Sequence, residues 1–166
     1  MRIAQIAPCL WFDNQAEQAA TFYTSIFSDS KIINMTRYGS AGFEVHKRPA
    51  GSVMTVDFAL GGHRFTALNG GPLFTFNEAV SFQILCETQQ EIDYYWDKLI
   101  EGGDPKAQQC GWVKDKFGLA WQVVPLGMDE MMGDPGSPAS NRAMAAMMSM
   151  KKLDIAALKR AYDGKS

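Results

Sequence analysis

The stretch CGWVKDKFGLAWQVVP, residues 110–125, holds two short apolar runs joined by a DKFG turn. LAWQVVP reads as a strand with one polar side chain, Gln122, among apolar neighbours. Side chains alternate across a strand, so Ala120 and Val124 share the face of Gln122 while Trp121 points to the opposite one. Asp115 opens the turn, where an Asx-type hydrogen bond accounts for it.

Upstream, SFQILCE (81–87) reads as a strand, and Thr88 with Glu91 forms a capping box that opens a helix. That helix turns Ile92, Tyr95, Trp96, Leu99 and Ile100 inward, and Gly102-Gly103 stops it. AQQCGWV supplies a further strand before LAWQVVP.

The first half follows the same plan. IAPCLWF (6–12) is a strand ended by Asp13-Asn14. Asn14 with Glu17 resembles a capping box for a helix whose buried face is Ala16, Ala19, Ala20, Tyr23, Ile26 and Phe27. KIINMTRYG (31–39) is a strand, 40–52 an irregular connection, and VMTVDFAL and HRFTALN a hairpin around Gly61-Gly62. Asn14 aligns with Thr88, Glu17 with Glu91 and Ile26 with Ile100, a constant offset of 74 residues. The spacing predicts two βα-plus-strands modules, about 1–72 and 78–126. A helical extension follows at about 127–166. In it Met144, Met147 and Met148 form a stripe suited to a core or subunit contact. Asp154 caps a last helix ended by Gly164.

The 166 residues suffice for one core, and 16 basic against 18 acidic residues, spread without runs, leave no footprint for nucleic acid. Cys9, Cys86 and Cys110 lack metal-ligand spacing and fit reduced thiols in a cytoplasmic protein. MRIAQIAPCL is too short in apolar residues for a signal peptide, and no segment approaches a membrane span.

LWFDNQAEQAATFYTSIF, FNEAVSFQILCETQQEIDYYWDKL, CGWVKDKFGLAWQVVP and MKKLDIAAL together resemble the 3-demethylubiquinone-9 3-methyltransferase-like family, similar to the phosphonate-operon protein B. That family lies within the vicinal oxygen chelate (glyoxalase and bleomycin-resistance) superfamily. The resemblance implies an α+β fold of two βαβββ modules with cupped sheets, small-molecule binding on the concave face, and a homodimer. Relatives in the superfamily hold a divalent metal with His or Glu on the concave strands. Carried onto this sequence, those places fall near Ala7, Ala67, Ser81 and Gln122. Ala offers no donor, and neutral Ser and Gln oxygens bind Zn²⁺ or Fe²⁺ poorly. The chain has two histidines, His46 and His63, both placed at the surface.

The reading predicts no metal and no cofactor, and a small-molecule pocket lined by Cys9, Trp11, Phe65, Asn69, Ser81, Gln83 and Gln122. No membrane or nucleic-acid partner is expected. The alternatives are a metal-dependent lyase, isomerase or dioxygenase with ligands elsewhere, and the methyltransferase of the family label. The last lacks support from the glycine pairs 61-62, 70-71 and 102-103, which lie in hairpin or helix-stop contexts. A further alternative is an interaction module whose cup is filled by Trp11, Phe65 and Phe82. Asp57, mid-strand, calls for solvent at a sheet edge, an arginine partner or a function.

Overall fold

The computed structural model describes residues 3–165 and divides the chain after Phe76 into two units. In the first, β1 (Cys9–Phe12), α1 (Ala16–Ile26), β2 (Lys31–Arg37), a four-residue helix α2 (Phe43–His46), β3 (Val53–Leu60) and β4 (His63–Asn69) succeed one another. Their sheet has the order β1-β4-β3-β2, with β1 parallel to β4 and the other pairs antiparallel. The first unit is thus a βαβββ module, with α2 added inside the connection that the sequence left irregular.

Helix α1 covers one face of this sheet. Ala16, Ala19, Ala20, Tyr23 and Ile26 are buried against Leu10, Phe12, Val56, Phe58, Phe65 and Ala67. Tyr23 stacks on Phe58, and Phe58 on Phe65. Register places Cys9, Thr66, Asp57 and Asn34 in one row on the other face. Asp57 lies on an inner strand and accepts 2.6 Å from the Thr66 hydroxyl, so a threonine solvates it where an edge or an arginine was expected.

The second unit holds β5 (Ser81–Cys86), α3 (Gln89–Leu99), β6 (Trp112–Lys114), β7 (Ala120–Pro125), α4 (Met128–Met132), α5 (Pro138–Met148) and α6 (Ile155–Asp163). Its sheet has the order β5-β7-β6, with β5 parallel to β7 and β6 antiparallel to it. AQQCGWV is therefore not one strand. A 3-10 turn at Pro105–Ala107 takes in its first residue, and Cys110 and Gly111 take left-handed φ of 50° and 83°, folding Gln109 back onto Trp112. The second module carries three strands where the first carries four.

The expected capping box of α3 is present: the Thr88 side chain accepts from Glu91 N, and Glu91 accepts from Thr88 N. Asn14 does not play the corresponding part in α1, whose N-cap position is Gln15 without a side-chain bond. The amide of Ala16 instead donates 2.8 Å to Asn69 Oδ1, from β4. The two strand ends stand 74 apart (Phe12 and Cys86), but the helices start at Ala16 and Gln89, an offset of 73. One residue fewer between β5 and α3 moves the cap out of alignment.

The extension after β7 is fastened to the second module at several points. Cys110 N and Gly111 N donate to Met150 O and Lys151 O at 2.9 and 2.8 Å. Gln89 donates to Leu153 O and accepts from Ile155 N. Lys152 pairs with Asp93 at 2.9 Å. Asp154 caps α6 and Gly164 ends it, as the sequence predicts.

Candidate functional site

Three of the residues singled out in the sequence converge on the face of β5–β7 turned away from α3. Trp121 fixes that face by occupying the other. The residue is 3% exposed, and its ring lies 5.6 Å from that of Phe82 and donates Nε1–H 2.8 Å to Asp115 Oδ2. Asp115 Oδ1 also accepts from Phe117 N and Leu119 N, so this carboxylate shapes the DKFG turn and anchors the tryptophan. Gln122 must then point to the opposite face. There Ser81, Ala120 and Lys114 form one row, and Gln83, Gln122 and Trp112 the next.

The three polar side chains are joined in series. Gln83 Nε2 donates to Gln122 Oε1 at 3.3 Å, and Gln122 Nε2 donates to Ser81 Oγ at 2.8 Å. Gln83 and Gln122 line a hollow of about 470 Å³ with Leu85, Val124 and residues of α4 and α5. Its volume falls within the range of small-molecule sites, roughly 300–1,000 Å³. Lys114, in the neighbouring row, is ion-paired with Glu78, and that ammonium holds the Glu78 carboxyl below its usual range.

The remaining candidates belong to the first unit. Cys9 and Trp11 sit on the face of the first sheet turned away from α1. Cys9 is exposed, and its thiol is pushed up by partial burial and then by the Asp57 charge, which opposes nucleophilic activation. Trp11 is half-buried, donates Nε1–H to Gly71 O at 2.8 Å and meets the Phe74 ring edge-on. Phe65 and Asn69 face α1, contrary to the sequence reading. Ala67 lies between them on that same face, so the metal-ligand place carried onto β4 points into the helix-packed core. The sequence reading set Asn69 on the concave face with Ala67, but the residue is 6% exposed, its side chain capping α1 and donating to Val53 O. Phe65 and Phe82 pack on Phe58 and Trp121, so neither fills the open faces.

The donor set does not suit a divalent metal. Ser81 and Gln122 are neutral and bonded to each other, and Ala7 offers no side-chain donor. Among the described residues no three His, Cys, Asp or Glu side chains converge. His46 stacks on Tyr38 at 4.4 Å, and His63 is exposed at the start of β4. A nucleotide-type methyl donor fares no better, because Asp13–Gln15 and Glu87-Thr88, the turns that lead from β1 and β5 into helices, contain no glycine. The sequence reading missed the methionines: Met128, Met132, Met144 and Met147 line the hollow, and Met148 meets Cys110 Sγ at 3.8 Å. Helical spacing marked part of this stripe but could not separate a pocket wall from a core.

The family profile described as 3-demethylubiquinone-9 3-methyltransferase matches residues 4–124. The chain belongs to this family. The PhnB protein of Bacillus cereus, named for the same family, is 34% identical over 73% of this chain and 98% of its own, with a TM-score of 0.61. Protein PA1353 of Pseudomonas aeruginosa is 21% identical over 75% of this chain and 98% of its own, with a TM-score of 0.55. The genomically encoded fosfomycin resistance protein FosX of Listeria monocytogenes, solved with Mn(II) and sulfate, is 15% identical over 80% of this chain and 98% of its own, at 0.52. These likenesses and the sheet topology give this 3-demethylubiquinone-9 3-methyltransferase family member the vicinal oxygen chelate (glyoxalase) fold. No curated protein matches the chain. Among the described residues no helix is long and apolar enough to cross a membrane.

Proposed function

We propose that this family member binds a small organic molecule in the hollow beside β5 and β7, without a tightly held metal. The observation that carries the reading is the Gln83–Gln122–Ser81 chain at the hollow's edge. Neutral amides supply both donors and acceptors, and apolar walls supply the area that a bound molecule buries. Binding and sequestration fit such a lining, and general acid-base chemistry on the bound molecule would fall to Asp129, its titratable residue; methyl transfer has no donor cradle in its favour. The proposal includes work in the cytoplasm, which the three unbridged cysteines suit, and as a homodimer, which the family resemblance implies.

A thermal-shift screen tests this. Specific binding to the native state raises the melting temperature. Members of a small-molecule library should stabilise the wild type and fail on Gln122→Ala, while Zn²⁺, Ni²⁺, Mn²⁺, Fe²⁺ and S-adenosylmethionine should leave it unshifted. A stoichiometric divalent ion in the purified protein, or hits indifferent to Gln122→Ala, would overturn the proposal.

A further inference from the structure

The family profile ends at residue 124, yet eight of the twelve residues lining the hollow lie beyond it. We infer that the segment from Pro125 through the extension makes the hollow selective for an uncharged aromatic molecule carrying a hydroxyl or amide group. This rests on the proposed binding role of Gln83 and Gln122 and names the ligand class that the walls would take.

Four features support the inference. The extension is not loosely tethered: Met150 O, Lys151 O and Leu153 O are each hydrogen-bonded to the second module. It packs on the Gln122 side of β7, since Val124, two residues on, is buried with Leu153 and Leu158, and Met128, Met132 and Met147 gather around them. Its contribution to the lining is dominated by four methionines, whose flexible, polarisable thioethers adapt to flat rings and meet ring edges favourably.

The fourth feature is polar. Each amide spends one N–H within the series, so among the described residues the second N–H of each and Gln83 Oε1 have no protein partner. A hydroxyl or amide can use donor and acceptor together. A carboxylate would bring charge against neutral amides and thioethers, with Asp129 as the charged residue of the lining.

The test uses the whole 166-residue chain and calorimetric titration with four probes: 2-naphthol, decahydro-2-naphthol, 2-naphthoate and 2-naphthylmethylammonium. 2-Naphthol should bind best, with the saturated alcohol weaker by about threefold or more. Both ions should be weaker by about tenfold or more, the ammonium because Asp129 is exposed and its screened attraction returns less than desolvation against thioethers costs. Met144 is 40% exposed, so Met144→Glu should fold, as its unchanged circular dichroism would verify, and should weaken 2-naphthol about tenfold. The double variant Met132→Leu, Met144→Leu keeps the apolar wall and should lose most of the preference for the aromatic ring.

Tighter binding of either ion, equal binding of the saturated alcohol, or no 2-naphthol binding up to about 1 mM would overturn the inference. If Gln122→Ala abolishes 2-naphthol binding while Met144→Glu leaves it unchanged, the extension has no selective part and the proposed site survives. If hits from the wider screen are indifferent to both variants, the proposed site itself falls.

Discussion

Replacing Asn69 by alanine separates long-range from local control of the first helix. Asn69 Oδ1 accepts from Ala16 N at 2.8 Å, and its Nδ2 donates to Val53 O at 3.1 Å. Ala16 is fully buried, so its amide would be stranded where water cannot replace the lost acceptor. A stranded buried donor costs about 1–3 kcal/mol, and loss of a cap lies in the same range. Val53 is half-buried and its carbonyl would recover part of its bond from water, which sets the total near 2–4 kcal/mol. With a urea slope of about 2 kcal/mol/M, the unfolding midpoint should fall by about 1–2 M.

Asn14→Ala is the control, because local sequence names Asn14 as the cap and the structure gives its side chain no capping bond. It should change stability by less than about 0.5 kcal/mol. Asn69→Asp, which keeps an acceptor for Ala16 but sets a carboxylate against Val53 O, should fall between the two. Equal losses for Asn14→Ala and Asn69→Ala, or a loss under about 0.5 kcal/mol for the latter, would refute the reasoning.

Gly103→Ala should destabilise the second unit by more than about 2 kcal/mol in urea titration, because the added Cβ would lie 2.2 Å from the Lys114 carbonyl oxygen, a backbone atom. The Lys152–Asp93 pair should shape both ends of the pH–stability curve. Its hydrogen bond raises the lysine above 10.5 and lowers the aspartate below 3.8, so its contribution is lost as pH climbs through the lysine's raised value or falls through the aspartate's lowered one. Lys152→Met should flatten both limbs by no more than about 1 kcal/mol, since both side chains are partly exposed. Burial, and secondarily Glu91, pushes the Cys86 thiol to about 11, so iodoacetamide at pH 8 should leave native Cys86 unmodified while Cys110 reacts, as read by peptide mass spectrometry.

Elements specified by local chemistry were legible in the sequence. Thr88 and Glu91 mark the start of α3, and Asp154 and Gly164 bracket α6, because caps act within a few residues. Gln122 was oriented by the ligand place that the family resemblance carries onto it, with strand alternation sending Trp121 to the other face, where the structure buries it. Misreadings arose where a distant partner decides. Asn69 is polar yet buried, since a helix amide from the other end of the unit needs its oxygen, and no local pattern carries that contact. Cys110-Gly111 split a run that looked like a strand, for which the glycine was the available signal. The methionines of α4 and α5 carry core-like spacing, and their position on the hollow follows from how the extension is fastened.

The most direct measurement of the central claim is a two-dimensional spectrum of protein labelled at the methionine methyls and glutamine side-chain amides, recorded while small-molecule hits are titrated. Shifts should concentrate on Met128, Met132, Met144, Met147, Gln83 and Gln122, with Met35 and Met54 of the first unit unmoved. Saturable shifts confined to Met35 and Met54, with the six hollow residues silent, would contradict the account.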